Sequence, residues 1–231
     1  MTLLGDAGAL RRHQYAVLLI VLLTELTVQS FGAAAVPEGP WRDVVATVLG
    51  AAIFLVVFED GTRRRAMAGV LVTFIAIGWI RQGLPAGFDH AISIAYQTLT
   101  MIFFWTAVWV ILRNLFSTQT VGAENVLGAI CGYLIAGAGW SAVNALAFLL
   151  APAAYSVDPH VSTLLADWHG RAALFSYYSM AQMLTIGYAD VTPVRAPATT
   201  ISLFSALFGV FYTAVVVSQF VGMAQSTRSK A

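Results

Sequence analysis

The run Thr185-Ile186-Gly187-Tyr188-Ala189-Asp190, continued by Val191-Thr192-Pro193, decides how this chain is built. Before it lies an apolar stretch, Ala172 to Leu184, whose 13 residues are too few to cross a bilayer, which takes about 20. After it lies a second apolar stretch, Ala198 to Ala224, which is long enough. A short helix, an irregular strand and a long apolar helix in that order have the form of a re-entrant segment. Irregular backbone survives at membrane depth only where it is buried in protein or lines a water-filled path.

Working outward, five more apolar segments lie upstream, at about 15–35, 41–58, 66–80, 91–112 and 126–151. With 198–224 they predict six transmembrane helices, since lipid offers the backbone no partner outside a helix or closed barrel. Composition agrees. Of 231 residues, 59% are apolar and 10% charged, against about 45–50% and 25% in soluble domains. So few charges cannot cover a soluble surface. Lys+Arg total 12 and Asp+Glu 11, which gives no basic face for nucleic acid. There is no H-E-x-x-H and no G-x-S-x-G, and His13, His90, His160 and His169 all lie outside the spans, which argues against a membrane enzyme. Cys131 stands alone in an apolar stretch and forms no intrachain disulfide.

The basic residues orient the spans. Arg11, Arg12, Arg63, Arg64, Arg65, Arg113, Arg228 and Lys230 fall on one side, and Arg42, Arg81, Arg171 and Arg195 on the other. Both termini are therefore expected in the cytoplasm. The first segment also has signal-peptide features, with basic residues before it and Ala33-Ala34-Ala35 at its end. Glu25, which interrupts it, and its length weigh against that reading.

The stretch from about His169 to Met223 resembles the pore module of potassium channels, whose filter reads T-x-G-Y-G-D. The resemblance rests on Thr185 to Asp190, Phe175 to Tyr178 in the short helix, Pro193 after the filter, and Gly209, twenty residues after Ala189. Small bacterial channels with four spans ahead of a two-span pore module are the nearest in form. The resemblance implies a filter at Thr185, Ile186, Gly187, Tyr188, Ala189 and Asp190, with potassium held by the backbone carbonyls of the first four. It implies that Tyr177 and Tyr178 brace Tyr188, and that Gly209 is a hinge. It also implies a homotetramer in a cell membrane (the inner membrane of a bacterium), with potassium ions and lipid as partners and no other cofactor. The fold expected is an all-α membrane protein with six spans, a pore helix and a filter loop around a tetrameric pore. Residues 1–122 would form a four-helix membrane domain and 123–231 the pore domain.

The chemistry of the run supports this. A hydrated cation sheds water only if oxygens replace it, and one strand offers one carbonyl per residue. Four copies are needed for a four-fold ring. Gly187 can take left-handed φ without steric cost. A short helix ending near Leu184 aims its partly negative end at the cavity, which favours a cation there. Alone, the six residues would also suit an ordinary loop between helices. Their order with the short helix, Pro193 and Gly209 favours the pore.

Three departures from the pattern bear on selectivity. Ala189 occupies the second filter glycine, Gln182 and Leu184 replace hydroxyl residues, and no acid in the pore helix is available to Asp190. Left-handed φ at Ala189 would cost roughly 1–2 kcal/mol per chain, so relaxation of the outer filter is expected. A weakly selective cation pore, or a non-conducting regulatory subunit of channel fold, is the alternative. No arginine lies between Ala91 and Leu112, so an arginine voltage sensor is not expected. The residues after Met223 are too few for a ligand-binding domain.

Other features have two readings each. Glu25 is an intramembrane acid, functional or hydrogen-bonded beside Thr24, Thr27 and Gln29. Tyr177 and Tyr178 also fit an interfacial aromatic belt, and Gly209 also fits a packing role. Asp158 with His160, and Asp167 with His169, offer acid–imidazole pairs for a metal or proton at the mouth; simple solvation is favoured. Glu59 and Asp60 read as an interfacial charge cluster. Gly128, Gly132 and Ala136 form a small-residue stripe suited to close helix packing.

Overall fold

The computed structural model describes residues 13–35, 41–58, 61–81, 89–117, 122–166 and 168–228. Seven α-helices run through the described residues: α1 (Gln14–Ala35), α2 (Trp41–Val57), α3 (Thr62–Arg81), α4 (Asp89–Ser117), α5 (Ala123–Leu150), α6 (Trp168–Met183) and α7 (Ala196–Arg228). Each predicted apolar segment coincides with one of them. Three stretches, His90–Ser117, Ala123–Leu150 and Ala196–Val221, are long and apolar enough to cross a membrane; the apolar helix Gln14–Val28 is shorter. Arg11, Arg12, Lys230, Glu59, Asp60 and Asp167, which enter the charge readings above, lie outside the described residues.

Hydroxyl residues inside these helices satisfy themselves. Thr24, Thr73, Thr98 and Thr106 each donate to the carbonyl four residues earlier at 2.7–2.8 Å. That back-bonding lets a polar side chain sit in an apolar helix without an orphaned donor.

One core joins the N-terminal helices to the re-entrant segment. Leu18 of α1, Ile53 of α2, Phe103 of α4 and Ile135 of α5 are buried in a single cluster with Met183, the last residue of α6. The small-residue stripe lets neighbouring helices approach closely. A Cβ on Gly132 would stand 2.5 Å from the Tyr212 Oη of α7 and 3.0 Å from Ile111 of α4, and one on Gly128 would stand 3.4 Å from the Tyr15 ring of α1. The absent side chain at Gly132 lets the Tyr212 hydroxyl reach the Ala129 carbonyl, to which it donates at 2.7 Å. α5 and α7 are thus tied by packing and by a buried hydrogen bond.

Between α5 and α6 the chain makes single 3-10 turns at Pro152–Ala154 and Ser162–Leu165, and strand β1 (Tyr155–Val157). Strand β2 (Val191–Pro193) pairs antiparallel with β1, Tyr155 opposite Pro193 and Val157 opposite Val191. This small hairpin connects the outer loop to the chain that leaves the Thr185–Asp190 turn.

Candidate functional site

α6 is amphipathic. Gly170, Leu174 and Tyr178, with Phe175, Ser179 and Met183, recur at four-residue spacing and are buried. The helix ends in a fully bonded C-terminal motif. The Ile186 N–H donates to the Ala181 carbonyl and the Thr185 N–H to the Gln182 carbonyl, both at 2.9 Å. Thr185 lies between with φ 57°. This is the left-handed C-cap that glycine usually supplies. A β-branched residue at positive φ is uncommon and costs roughly 1–2 kcal/mol. The two backbone bonds and the donation from Thr185 Oγ1 to the Leu184 carbonyl at 2.7 Å hold it there.

Two residues further, Gly187 has φ 68°. Positive φ thus recurs at Thr185 and Gly187, with Ile186 between them not in that region. The alternation stops there: Ala189 is not among the positive-φ residues. Leu184 to Ala189 are all exposed in the single chain, with Leu184, Ile186 and Tyr188 about half accessible. Three apolar or aromatic side chains are therefore presented on a turn that this chain alone does not cover.

Tyr177 and Tyr178 part company. The Tyr177 ring stacks on Tyr188 with centroids 5.7 Å apart and planes 18° from parallel. Its hydroxyl lies on the side of the Asp190 carboxylate, close enough to feel its charge. Tyr178 is instead buried and lies 2.6 Å from Ser202 Oγ of α7. Ser202 donates its own proton to the Ala198 carbonyl, so Tyr178 is the donor. Within the chain it braces α6 against α7 rather than Tyr188.

Beyond the turn, the hairpin takes over. The Asp158 N–H donates to the Asp190 carbonyl at 2.9 Å, and the Val194 N–H to the Ala154 carbonyl at 2.8 Å. On the other side of α6, α7 passes so close that a Cβ on Gly209 would collide with the Met183 carbonyl oxygen and stand 2.8 Å from the Met183 C and Cα. Glycine at 209 thus has a packing reason.

A buried network escaped sequence reading. Asn144 of α5 donates through Nδ2 to Ser179 Oγ of α6 at 3.0 Å and to the Trp140 carbonyl at 3.1 Å. It accepts at Oδ1 from the Tyr155 hydroxyl of β1 at 3.0 Å. Asn144 and Ser179 are fully buried. The available signal was an amide in an otherwise apolar span, which needs a partner.

Of the acid–imidazole pairs, Asp158 and His160 meet through the backbone, and Asp167 lies outside the described residues. Asp158 accepts from the His160 backbone N–H at 2.8 Å, an Asx turn. His169 faces α2 instead, with Nε2 3.6 Å from Oδ2 of the buried Asp43. Among the described residues no group of three His, Cys, Asp or Glu side chains is placed to hold a metal. Glu25 lines cavities behind α6.

Residues 161–226 match the family model described as an ion channel. The match covers α6, the turn and most of α7, so the chain carries an ion-channel domain there. No curated protein and no solved structure matches the chain. An ion-channel domain in a mostly helical chain, with three helices long and apolar enough to cross a bilayer, makes this a membrane protein and points to ion passage rather than catalysis.

Proposed function

We propose that four copies of this chain form a potassium channel whose filter is Thr185 to Asp190. The observation that carries the reading is the turn itself, with positive φ at Thr185 and Gly187 in an exposed stretch at the end of the short amphipathic helix. Carbonyls of Thr185, Ile186, Gly187 and Tyr188 replace the water of a potassium ion, and the four-fold axis completes each ring. Neighbouring chains cover Leu184, Ile186 and Tyr188. They also cover part of the exposed apolar surface of α7, where Leu203, Phe204 and Phe211 stand mostly open. Tyr177, stacked on Tyr188 and beside Asp190, holds the outer mouth.

In this proposal α1 to α3 also span, giving six helices, and the excess of arginine places both termini in the cytoplasm of a bacterial inner membrane. Gating does not use an arginine voltage sensor. Gly209 acts as a hinge in addition to its packing. A second reading, a weakly selective pore or a non-conducting channel-fold subunit, is favoured by one observation: Ala189 does not continue the alternation of φ.

Potassium flux into liposomes holding only this protein tests the proposal. Flux is expected from the wild type, and none from Gly187→Val, since valine at φ 68° adds strain of roughly 1–2 kcal/mol per chain. Tetramers should form in both. Unchanged selective conduction in Gly187→Val, or a dimer as the largest species in lipid, removes the proposed filter.

A further inference from the structure

We infer that the Tyr212 hydroxyl and the Ala129 carbonyl form a releasable latch, which holds the half of α7 after Gly209 against α5. The helix has two attachments. Its first half goes with α6. Ala198 is buried in one cluster with Leu174, Phe175 and Tyr178, Tyr178 donates to Ser202 at 2.6 Å, and Gly209 lies against the Met183 backbone. Its second half goes elsewhere. Tyr212, Val216 and Phe220, at four-residue spacing, pack with Ala129 and Tyr133 of α5 and with Leu112 and Leu115 at the end of α4.

The change of partner falls between Gly209 and Tyr212, where α7 is easiest to bend. Glycine weakens a helix interior. Thr213 donates to the carbonyls of Gly209 and Val210 at 3.0 and 2.9 Å, and back-bonding of this kind often bends helices.

What holds the second half depends on its solvent. Lipid tails are as apolar as Val216 or Phe220, so covering those side chains does not by itself join two helices; close packing and interhelical hydrogen bonds do. Tyr212 supplies both. Its hydroxyl donates to the Ala129 carbonyl at 2.7 Å. Among the described residues this is the side-chain hydrogen bond from the second half to another helix, since Thr213 and Ser218 donate within α7. Gly132 makes room for it, because a Cβ there would stand 2.5 Å from the hydroxyl. Tyr133 meets the Tyr212 ring edge-on, with centroids 5.5 Å apart.

The bond is strong enough to choose a position and weak enough to release. Ala129 lies inside α5, so its carbonyl keeps a helical partner when the tyrosine leaves, and only the hydroxyl is orphaned. A side-chain bond between membrane helices favours the joined state about threefold on average. The end of α4 walls the same spot, with Ile111 3.0 Å from the Cβ position of Gly132. A shift of the N-terminal helices at that end therefore reaches the latch directly.

Pulsed electron spin resonance on the full chain in lipid nanodiscs tests this. Spin labels are placed at Val126→Cys on α5 and Val217→Cys on α7, both exposed positions, and labelled chains are diluted with unlabelled ones. The chain without the added cysteines gives the background. Tyr212→Phe should raise the share of chains with the labels farther apart about threefold. Gly132→Ala should do the same, since its methyl takes the place of the hydroxyl. Combining the two should add nothing, because the methyl would stand 3.6 Å from Tyr212 Cζ, an ordinary contact once the hydroxyl is gone. Unchanged or shorter distances in Tyr212→Phe overturn the inference, and so do additive effects of the two substitutions. The Tyr212→Phe result decides alone if Gly132→Ala does not fold. Distances are read without current, so a failure here leaves the channel proposal intact, and a chain that does not conduct leaves the latch intact.

Discussion

Gly209→Ala separates the two roles of this glycine by the sign of one number. If Gly209 serves only as a flexible point in α7, alanine should stabilise the helix by about 0.8–1.0 kcal/mol. The close approach of α6 predicts the opposite. The new methyl would stand 2.8 Å from the Met183 C and Cα and would collide with its carbonyl oxygen, whereas ordinary contact begins at 3.4 Å. The neighbour is backbone at the end of a helix, which cannot rotate away as a side chain would. α7 must retreat by several tenths of an ångström or α6 must shift, and overpacking of this kind costs about 1–3 kcal/mol. The cost outweighs the gain in propensity over most of that range, so a net loss of about 1 kcal/mol per chain is expected. Met183 lies two residues before Thr185, so the shift also moves the base of the turn. Thermal unfolding in detergent, read with potassium flux in liposomes, is the assay: Gly209→Ala should melt lower and conduct less. A variant that melts higher with unchanged flux refutes the packing argument, and one that melts higher with altered open probability assigns Gly209 to the hinge alone.

Three further outcomes follow from the same geometry. Asn144→Leu leaves Ser179 and the Tyr155 hydroxyl without their buried partner, at about 1–3 kcal/mol each; the melting temperature should fall markedly and potassium-over-sodium selectivity should fall with it, read from reversal potentials. Tyr177→Phe removes the hydroxyl beside Asp190 but keeps the ring stacked on Tyr188; the tetramer should persist while current declines faster during sustained recording. Ala189→Gly should raise potassium conductance or selectivity without changing assembly, and identical reversal potentials and single-channel currents in a strongly selective wild type would show that alanine there is harmless.

The helices were legible because lipid leaves the backbone few choices: each apolar run had to become a helix, and did. Gly187 was legible as the residue free to take positive φ, and its φ of 68° agrees. The partners of the polar residues were not. Nothing local distinguishes Tyr177 from Tyr178, yet a step of one residue turns a helical side chain by about 100°. One ring reaches Tyr188 and the other reaches Ser202 on α7. Asp43 and His169 are 126 positions apart, and only the packing of α2 against the start of α6 brings them together. The β1–β2 hairpin was equally hidden, because strands of three residues leave no alternation to count.

The turn itself shows why residue letters and backbone shape need not agree. The letters place conformational freedom at Gly187 and its absence at Ala189, and single out nothing at Thr185. The backbone places positive φ at Thr185 and Gly187. Thr185 is left-handed because the end of α6 fixes it, through the bonds from Ile186 to Ala181 and from Thr185 to Gln182. Strain of this kind persists only where the surroundings over-determine it, and here a helix terminus does so from within the chain. At Ala189 no comparable element acts, and the hairpin bond from Asp158 to Asp190 sets the path of the next residue. The inner half of the turn is therefore shaped by α6 and the outer half by the hairpin. In the proposed channel, the inner ion sites follow from the helix end that every copy carries, and the outermost site is the one that alanine and the hairpin are free to change.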